Sequence, residues 1–144
     1  MDLTWSKQMS IGNELMDSEH KMILGLVDGV DIAIRTRDVA RLGRALDVLE
    51  DATRLHFEHE EKLARAIGFP FDEHNLEHRY ILDEFQDIKG RLADDQESWS
   101  ESVAEYCYMF LSNWAVDHVM EDDMKMKPLL EAYPYDFKPD ESAG

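Results

Sequence analysis

Five histidines and two carboxylates carry the chemistry that this chain can do. They are His20, His56, His74, His78 and His118, with Glu60 and Asp123. His56 and Glu60 are four residues apart, as are His74 and His78. Four residues make about one helical turn, so each pair projects from one helix face. Imidazole nitrogen with carboxylate oxygen, and no thiolate, is a donor set for iron, manganese or zinc. A lone buried histidine is ordinarily a hydrogen-bonded core residue. Five on apolar stripes, beside Glu60, are different. A metal-free core would have to satisfy every one, at about 1–3 kcal/mol for each left unpaired. A shared metal centre removes that cost.

The elements that must position these groups read as four amphipathic helices. Asp17 or Ser18 is expected to cap the first, whose apolar stripe is Ile23, Leu24, Val27, Val30 and Ile34, with His20 on the same face. The second is expected over Val39 to Ile67. Its seam is Leu42, Leu46, Leu49, Thr53, His56, Glu60, Leu63 and Ile67, in steps of three and four. Gly68 and Pro70 mark the stop and restart. The third starts near Phe71, with His74, His78, Ile81, Leu82, Phe85, Ile88 and Leu92 facing inward. Ser98 and Glu101 form a capping box for the fourth, whose inner stripe is Val103, Cys107, Phe110, Trp114 and His118. Pro128 ends or kinks it. No segment alternates with period two, so no strand is expected.

The fold class predicted is all-α: an up-down-up-down antiparallel four-helix bundle. An N-terminal arm over 1–16 precedes the bundle at 17–131, and a short C-terminal tail over 132–144 follows, its aromatics able to pack back and its end disordered. Odd helices start, and even helices end, at the same end of such a bundle. His20, His56, Glu60, His74, His78 and His118 therefore converge in one layer.

Five imidazoles and two carboxylates exceed the six positions of one ion. Two ions bridged by Glu60 and Asp123 fit better. With a bridging oxygen, three histidines complete one octahedron, and two leave the other ion with an open position. An open position on a redox metal, beside Trp114, is a place for a small ligand such as dioxygen. Asp123 lies five residues after His118, about 140° round an ideal helix, whereas Asp122 at four shares the face. Geometry alone therefore favours Asp122.

The pattern resembles the hemerythrin family, in its bacterial single-domain form. The matching residues are Trp5 and Gly12, then Asp17-Ser-Glu-His20, His56-Phe-Glu-His-Glu60-Glu, His74-Asn-Leu-Glu-His78 and Trp114-Ala-Val-Asp-His118-Val-Met-Glu-Asp-Asp123. They run in that order from Trp5 to about Leu130. The resemblance implies two iron ions (Fe2+/Fe3+) with a bridging oxo or hydroxo group. His74, His78 and His118 would hold the six-coordinate iron, and His20 and His56 the five-coordinate one. Glu60 and Asp123 would bridge them. The choice of Asp123 over Asp122 requires a local distortion after His118. Dioxygen would bind reversibly at the open iron, making the protein a carrier or store and not an enzyme. Trp114, Ala115 and Val119 would line the ligand pocket. Ala115 and Val119 are smaller than the leucine and isoleucine of many family members, so the pocket is expected to be roomier and bound dioxygen shorter-lived.

The remaining features bound the alternatives. The chain has 144 residues, with 15 Lys+Arg against 32 Asp+Glu and a formal net charge of -17. That field repels nucleic acid and anionic lipid. One cysteine, Cys107, excludes an intramolecular disulfide and reads as an inert buried thiol. The first twelve residues hold no signal-peptide core, and no stretch approaches the roughly 20 apolar residues of a membrane span. A cytoplasmic protein is expected, a monomer by default. His59 lies off the stripe and reads as partly exposed or as supporting a ligand. Met124 and Met126 read as packing, not as a copper site. Two other functions use similar residues. One is a sensor of oxygen, nitric oxide or redox state acting through an unidentified protein partner. The other is a peroxidase or ferroxidase of the ferritin type. That class uses Glu-x-x-His pairs, and no histidine here has glutamate three residues before it.

Overall fold

The computed structural model describes residues 4–94 and 101–139, without the side chains of 92–94, 101–102, 119 and 120. Within them the fold is all-helical, and no strand occurs. Helix α1 spans Glu14–Arg35, α2 Val39–Ile67, α3 Asp72–Asp94 and α4 Glu101–Asp117. A π turn, His118–Asp122, and a 3-10 turn, Asp123–Met126, lead from α4 to the short α5, Lys127–Leu130. Helix α1 packs on α2 and α4, and α3 packs on the same two. That closed ring is the up-down-up-down bundle.

Two connections show why the chain turns where it does. Asp38 caps α2 by accepting a hydrogen bond from the Arg41 amide. At the far end Gly68 adopts φ 76°, and the Phe69 amide reaches back to the Ala64 carbonyl at 2.8 Å. This is a left-handed stop that glycine makes without strain. The predicted bounds of α2 match those observed.

The start of α1 corrects the sequence reading. The cap is Asn13, not Asp17 or Ser18; its side chain accepts from the Met16 amide. Asp17 is instead buried inside the first turns and tied elsewhere. It accepts from the Ser10 hydroxyl at 2.5 Å, the Ile11 amide at 3.0 Å and the Tyr135 hydroxyl at 2.9 Å. Arm and tail are thus both fastened to one carboxylate. Asn13 also donates to the Phe137 carbonyl at 2.9 Å, and the Glu14 amide to that of Tyr135 at 2.8 Å. Tyr133 and Phe137 pack on a small core of Ile11, Met16, Leu63, Ala64, Ile67, Met126 and Leu130. The expected return of the tail aromatics is therefore observed. The expected disorder of the tail end, the expected Ser98 cap and the Leu92 side chain fall outside the described residues.

The main core runs below that cluster through all four helices. The expected stripes of α1 and α2 are buried throughout. On α4 the stripe needs correction: Val103 and Phe110 are only partly buried, while Ala104, Leu111 and Ala115 face inward with Cys107 and Trp114. Packing turns the inner face by about one residue, from Val103 and Phe110 to their neighbours Ala104 and Leu111. Burial pushes the Cys107 thiol up to about 12, so it remains protonated.

Candidate metal centre

Every predicted ligand reaches one buried end of the bundle. His20, His56, Glu60 and Asp123 are fully buried, and His74, His78 and His118 nearly so. Helix α1 contributes His20, α2 His56 and Glu60, α3 His74 and His78, and the end of α4 His118 and Asp123. His118 leads directly into the π turn.

That turn brings Asp123 into the cluster. The Asp123 amide bonds to the His118 carbonyl, five residues back. One extra residue in the turn brings Asp123 round to the face of His118, which an α-helix would miss. Asp123 Oδ2 lies 2.8 Å from His118 Nε2. Asp122 points away and pairs with Glu77, whose carboxyl is pushed up to about 7 by burial and by the hydrogen bond and charge of Asp122. The distortion expected after His118 is therefore a single π turn.

The two carboxylates sit at the centre of the cluster. Asp123 Oδ2 is 2.6 Å from His20 Nε2 and 3.4 Å from His56 Nε2, while Oδ1 is 3.4 Å from His74 Nε2. Glu60 Oε1 is 3.3 Å from His74 Nε2. Its Oε2 lies 3.4 Å from His56 and His118 and 3.5 Å from His78. Each carboxylate thus presents one oxygen to His74 and the other to three further imidazoles: His20, His56 and His118 for Asp123, and His56, His78 and His118 for Glu60. Donor atoms on adjacent corners of an octahedron with metal–ligand bonds of ~2.1 Å stand about 3 Å apart, so these spacings suit shared cations. Three sets can each hold an ion: His20, His56, His118 and Asp123; Glu60, His78 and His118; and Glu60, His74 and Asp123. His118 belongs to two of them, so spacing alone does not divide the histidines three and two.

A test of fit comes from the unpartnered atoms. Glu60 Oε1 and Oε2, Asp123 Oδ1, His74 Nε2 and His78 Nε2 are buried without a hydrogen-bond partner. Such atoms are costly in a core unless something shared satisfies them. These are the atoms that the donor set would turn toward cations, so the residues fit a metal centre.

The charges couple in the same way. Burial disfavours the His118 imidazolium, but Asp123 and Glu60 outweigh it and hold its pKa well above the ordinary range. Burial likewise works against His56, and hydrogen bonds to Asp123 and Glu19 with the charge of Glu60 still raise it to about 9. For His20 and His78 burial wins, and both are lowered. The Asp123 carboxyl resists its own burial and lies well below the usual range, chiefly through His118.

Sequence reading missed Glu19. Its Oε1 accepts from His56 Nδ1 at 2.8 Å and its Oε2 from His59 Nδ1 at 2.5 Å. Glu19 therefore fixes the ring of His56 with Nε2 facing the centre. His59 is partly exposed, supports Glu19 and belongs to none of the cation sets, as expected. Glu19 stands directly before His20, and nothing in its local sequence marks it for burial. Phe57 was also passed over. It stacks flat on His78 with ring centroids 3.6 Å apart and 3° between planes. Trp114 stacks on His118 at 5.9 Å, and Ala115 is fully buried beside it in the core. The Val119 side chain lies outside the described residues. Met126 packs in the small core, and Met124 packs against it.

A four-helix bundle with imidazoles and carboxylates converging at one buried end defines a cation-binding helical bundle. The Hemerythrin HHE cation binding domain matches residues 11–130. The chain belongs to the hemerythrin family. It is 24% identical over 143 residues to the bacteriohemerythrin of Stenotrophomonas maltophilia, covering 99% of this chain and 90% of that one. It is 27% identical over 135 residues to the bacteriohemerythrin of Methylococcus capsulatus, covering 90% and 98%. A hemerythrin-like protein of Naegleria gruberi is 28% identical over 127 residues, with 88% and 92% covered. A crystal structure of a hemerythrin point mutant superimposes with a TM-score of 0.75 at 23% identity, over 88% of this chain and 95% of that one.

Two outcomes follow from this geometry. Replacing the carboxylate that orients His56, Glu19→Gln, weakens divalent-cation affinity about 10- to 100-fold, read by competition with a chelator, while the helix content stays unchanged. The second concerns pH. The folded-state pKa of His56 is about 9 against an ordinary 6.5. A raised pKa gives stability that is complete below the unfolded value and lost as pH rises through the folded one. Urea unfolding of metal-free protein therefore shows a loss of up to about 3 kcal/mol between pH 6.5 and 9. A profile flat across that window would contradict the imidazolium–carboxylate pairing.

Proposed function

We propose that this protein binds dioxygen reversibly at a di-iron centre, as a carrier or store. His74, His78 and His118 would hold one ion, and His20 and His56 the other, with Glu60 and Asp123 bridging. Two ferrous ions so held supply the electrons and the open coordination position that reversible dioxygen binding needs. The observation that carries the reading is the convergence of unpartnered Glu60, Asp123, His74 and His78 atoms at one buried point.

The surrounding residues suit holding a ligand and releasing it unchanged. Glu19 keeps His56 aimed at the centre. Phe57 and Trp114 cover His78 and His118 with aromatic faces, which keeps water away. Ferritin-type oxidases take their ligands from Glu-x-x-His pairs, and this chain has none. In this reading the protein works in the cytoplasm as a monomer. A net charge of -17 repels nucleic acid and anionic lipid, and among the described residues no helix is long and apolar enough to cross a membrane.

The test is an optical spectrum of anaerobically reduced protein before and after air is admitted, with iron counted per chain. Two irons and a visible band that disappears under vacuum and returns with air are expected. Irreversible oxidation without that band defeats the carrier reading. The size of residue 115 makes a further difference measurable. Ala115 is fully buried next to Trp114 in the chain, and Ala115→Leu, by adding apolar bulk there, is expected to exclude water better and lengthen the lifetime of bound dioxygen several-fold. An unchanged lifetime would show that Ala115 does not limit it.

A further inference from the structure

The metal layer leaves one polar side chain of α2 unexplained. Thr53 is fully buried, and its hydroxyl has no hydrogen-bond partner. A threonine inside a helix commonly bonds back to the carbonyl four residues earlier; here the Leu49 carbonyl receives no such bond. Thr53, His56, Phe57 and Glu60 share one face of α2. Thr53 is three residues from His56, or about 4.5 Å along the axis.

The neighbouring helices define its layer. The His20 and His118 rings lie 4.8 and 5.2 Å from that of His56. Since α1 runs antiparallel to α2, Ile23 and Leu24 follow His20 by one turn toward the level of Thr53. Since α4 runs parallel to α2, Trp114 and Ala115 precede His118 by one turn toward the same level. Ile23, Leu24, Trp114 and Ala115 belong to one core cluster. A second orphan lies in this layer: Trp114 Nε1 is buried without a partner. The floor beneath the metal layer therefore holds a hydroxyl and an indole N–H, both unpaired, beside the small side chain of Ala115.

From this we infer that Thr53 is a specificity-determining residue of the ligand pocket, donating a hydrogen bond to a small hydrogen-bond-accepting ligand held beside His56. The inference rests on the proposed di-iron reading, because His56 belongs to the ion with the open position. A hydroxyl there favours ligands that carry negative charge over neutral, apolar ones. Carbon and oxygen atoms of threonine match valine in number and branching, so Thr53→Val removes the donor with little change of shape. Thr53→Ser keeps the donor and loses a methyl group.

The experiment titrates sodium azide into the iron-loaded oxidised protein and its two variants, following visible absorption, with iron counted in each. Azide affinity is expected to fall about 5- to 10-fold in Thr53→Val and to return toward the native value in Thr53→Ser. A second readout needs no metal. The metal-free Thr53→Val protein melts a few degrees higher than the native protein, because a buried unpaired hydroxyl has been removed. Equal azide affinity in native protein and valine variant, with two irons in both, overturns the inference and leaves the dioxygen reading intact. A lower melting point for the metal-free valine variant also overturns it, since the hydroxyl must then have a protein partner. Native protein that takes up no iron overturns both.

Discussion

Asp123 is the residue on which the rest of the site depends. Its carboxylate is fully buried and stands within 3.4 Å of imidazoles from all four helices: His20, His56, His74 and His118. A carboxylate in such a place is tolerable only when its neighbours carry compensating charge or donate hydrogen bonds. The imidazoles do both, and so hold the Asp123 carboxyl in its ionised form against burial. Glu60, equally buried, faces the same rings from α2. Each helix therefore contributes polar groups that are met in part by groups of the other helices. The bundle cannot slide in register without stranding one of them.

That dependence explains the π turn. A regular helix carries the fifth residue after His118 about 140° away from it, into a region where no imidazole waits. The wider turn returns Asp123 to the inner face at the cost of one poorer stretch of helix. The fold offsets this nearby. Met126 and Leu130 bury directly after the turn in a small core with Ile11, Met16 and Leu63. Tyr133 and Phe137 close over it, and Asp17 fastens the Ser10 and Tyr135 hydroxyls to α1. Arm, tail and distorted turn thus form one cap over the metal end.

Much of this was legible in the sequence. The bounds of α2, the stripes of α1 and α2 and the convergence of His20, His56, Glu60, His74, His78 and His118 follow from spacing, whereas spacing favoured Asp122 over Asp123, which the family resemblance supplied. What escaped shares a physical cause. Glu19 and Asp17 are acids in a chain with 32 of them, and composition gives no reason to single out two for burial. Their roles depend on contacts 37 residues or more away, from Glu19 to His56 and from Asp17 to Tyr135. The inner stripe of α4 was misread at two places because local spacing admits Val103 and Phe110 as readily as their neighbours Ala104 and Leu111, and packing against the other helices selects between them. Asn13 was overlooked as a cap because two acceptable caps, Asp17 and Ser18, stood four and five residues further on. Local rules rank such candidates equally, and the tail that holds Asn13 through Phe137 decides between them.

The composition of the donor set bears on why such a site would hold dioxygen without consuming it. Five neutral imidazoles and two carboxylates bring two negative charges to a centre that would hold two divalent ions. The balance stays positive. A positive centre stabilises a ligand that gains electron density and resists giving up further electrons, because each loss adds charge to a place already short of anions. Additional carboxylates would lower that resistance and favour deeper oxidation. The chain has many acids, yet the others nearest the cluster are turned from it: Asp122 toward Glu77, and Glu19 toward the outer nitrogen of His56. Under the proposed reading, keeping those two carboxylates out of the donor set matters as much as bringing Glu60 and Asp123 in.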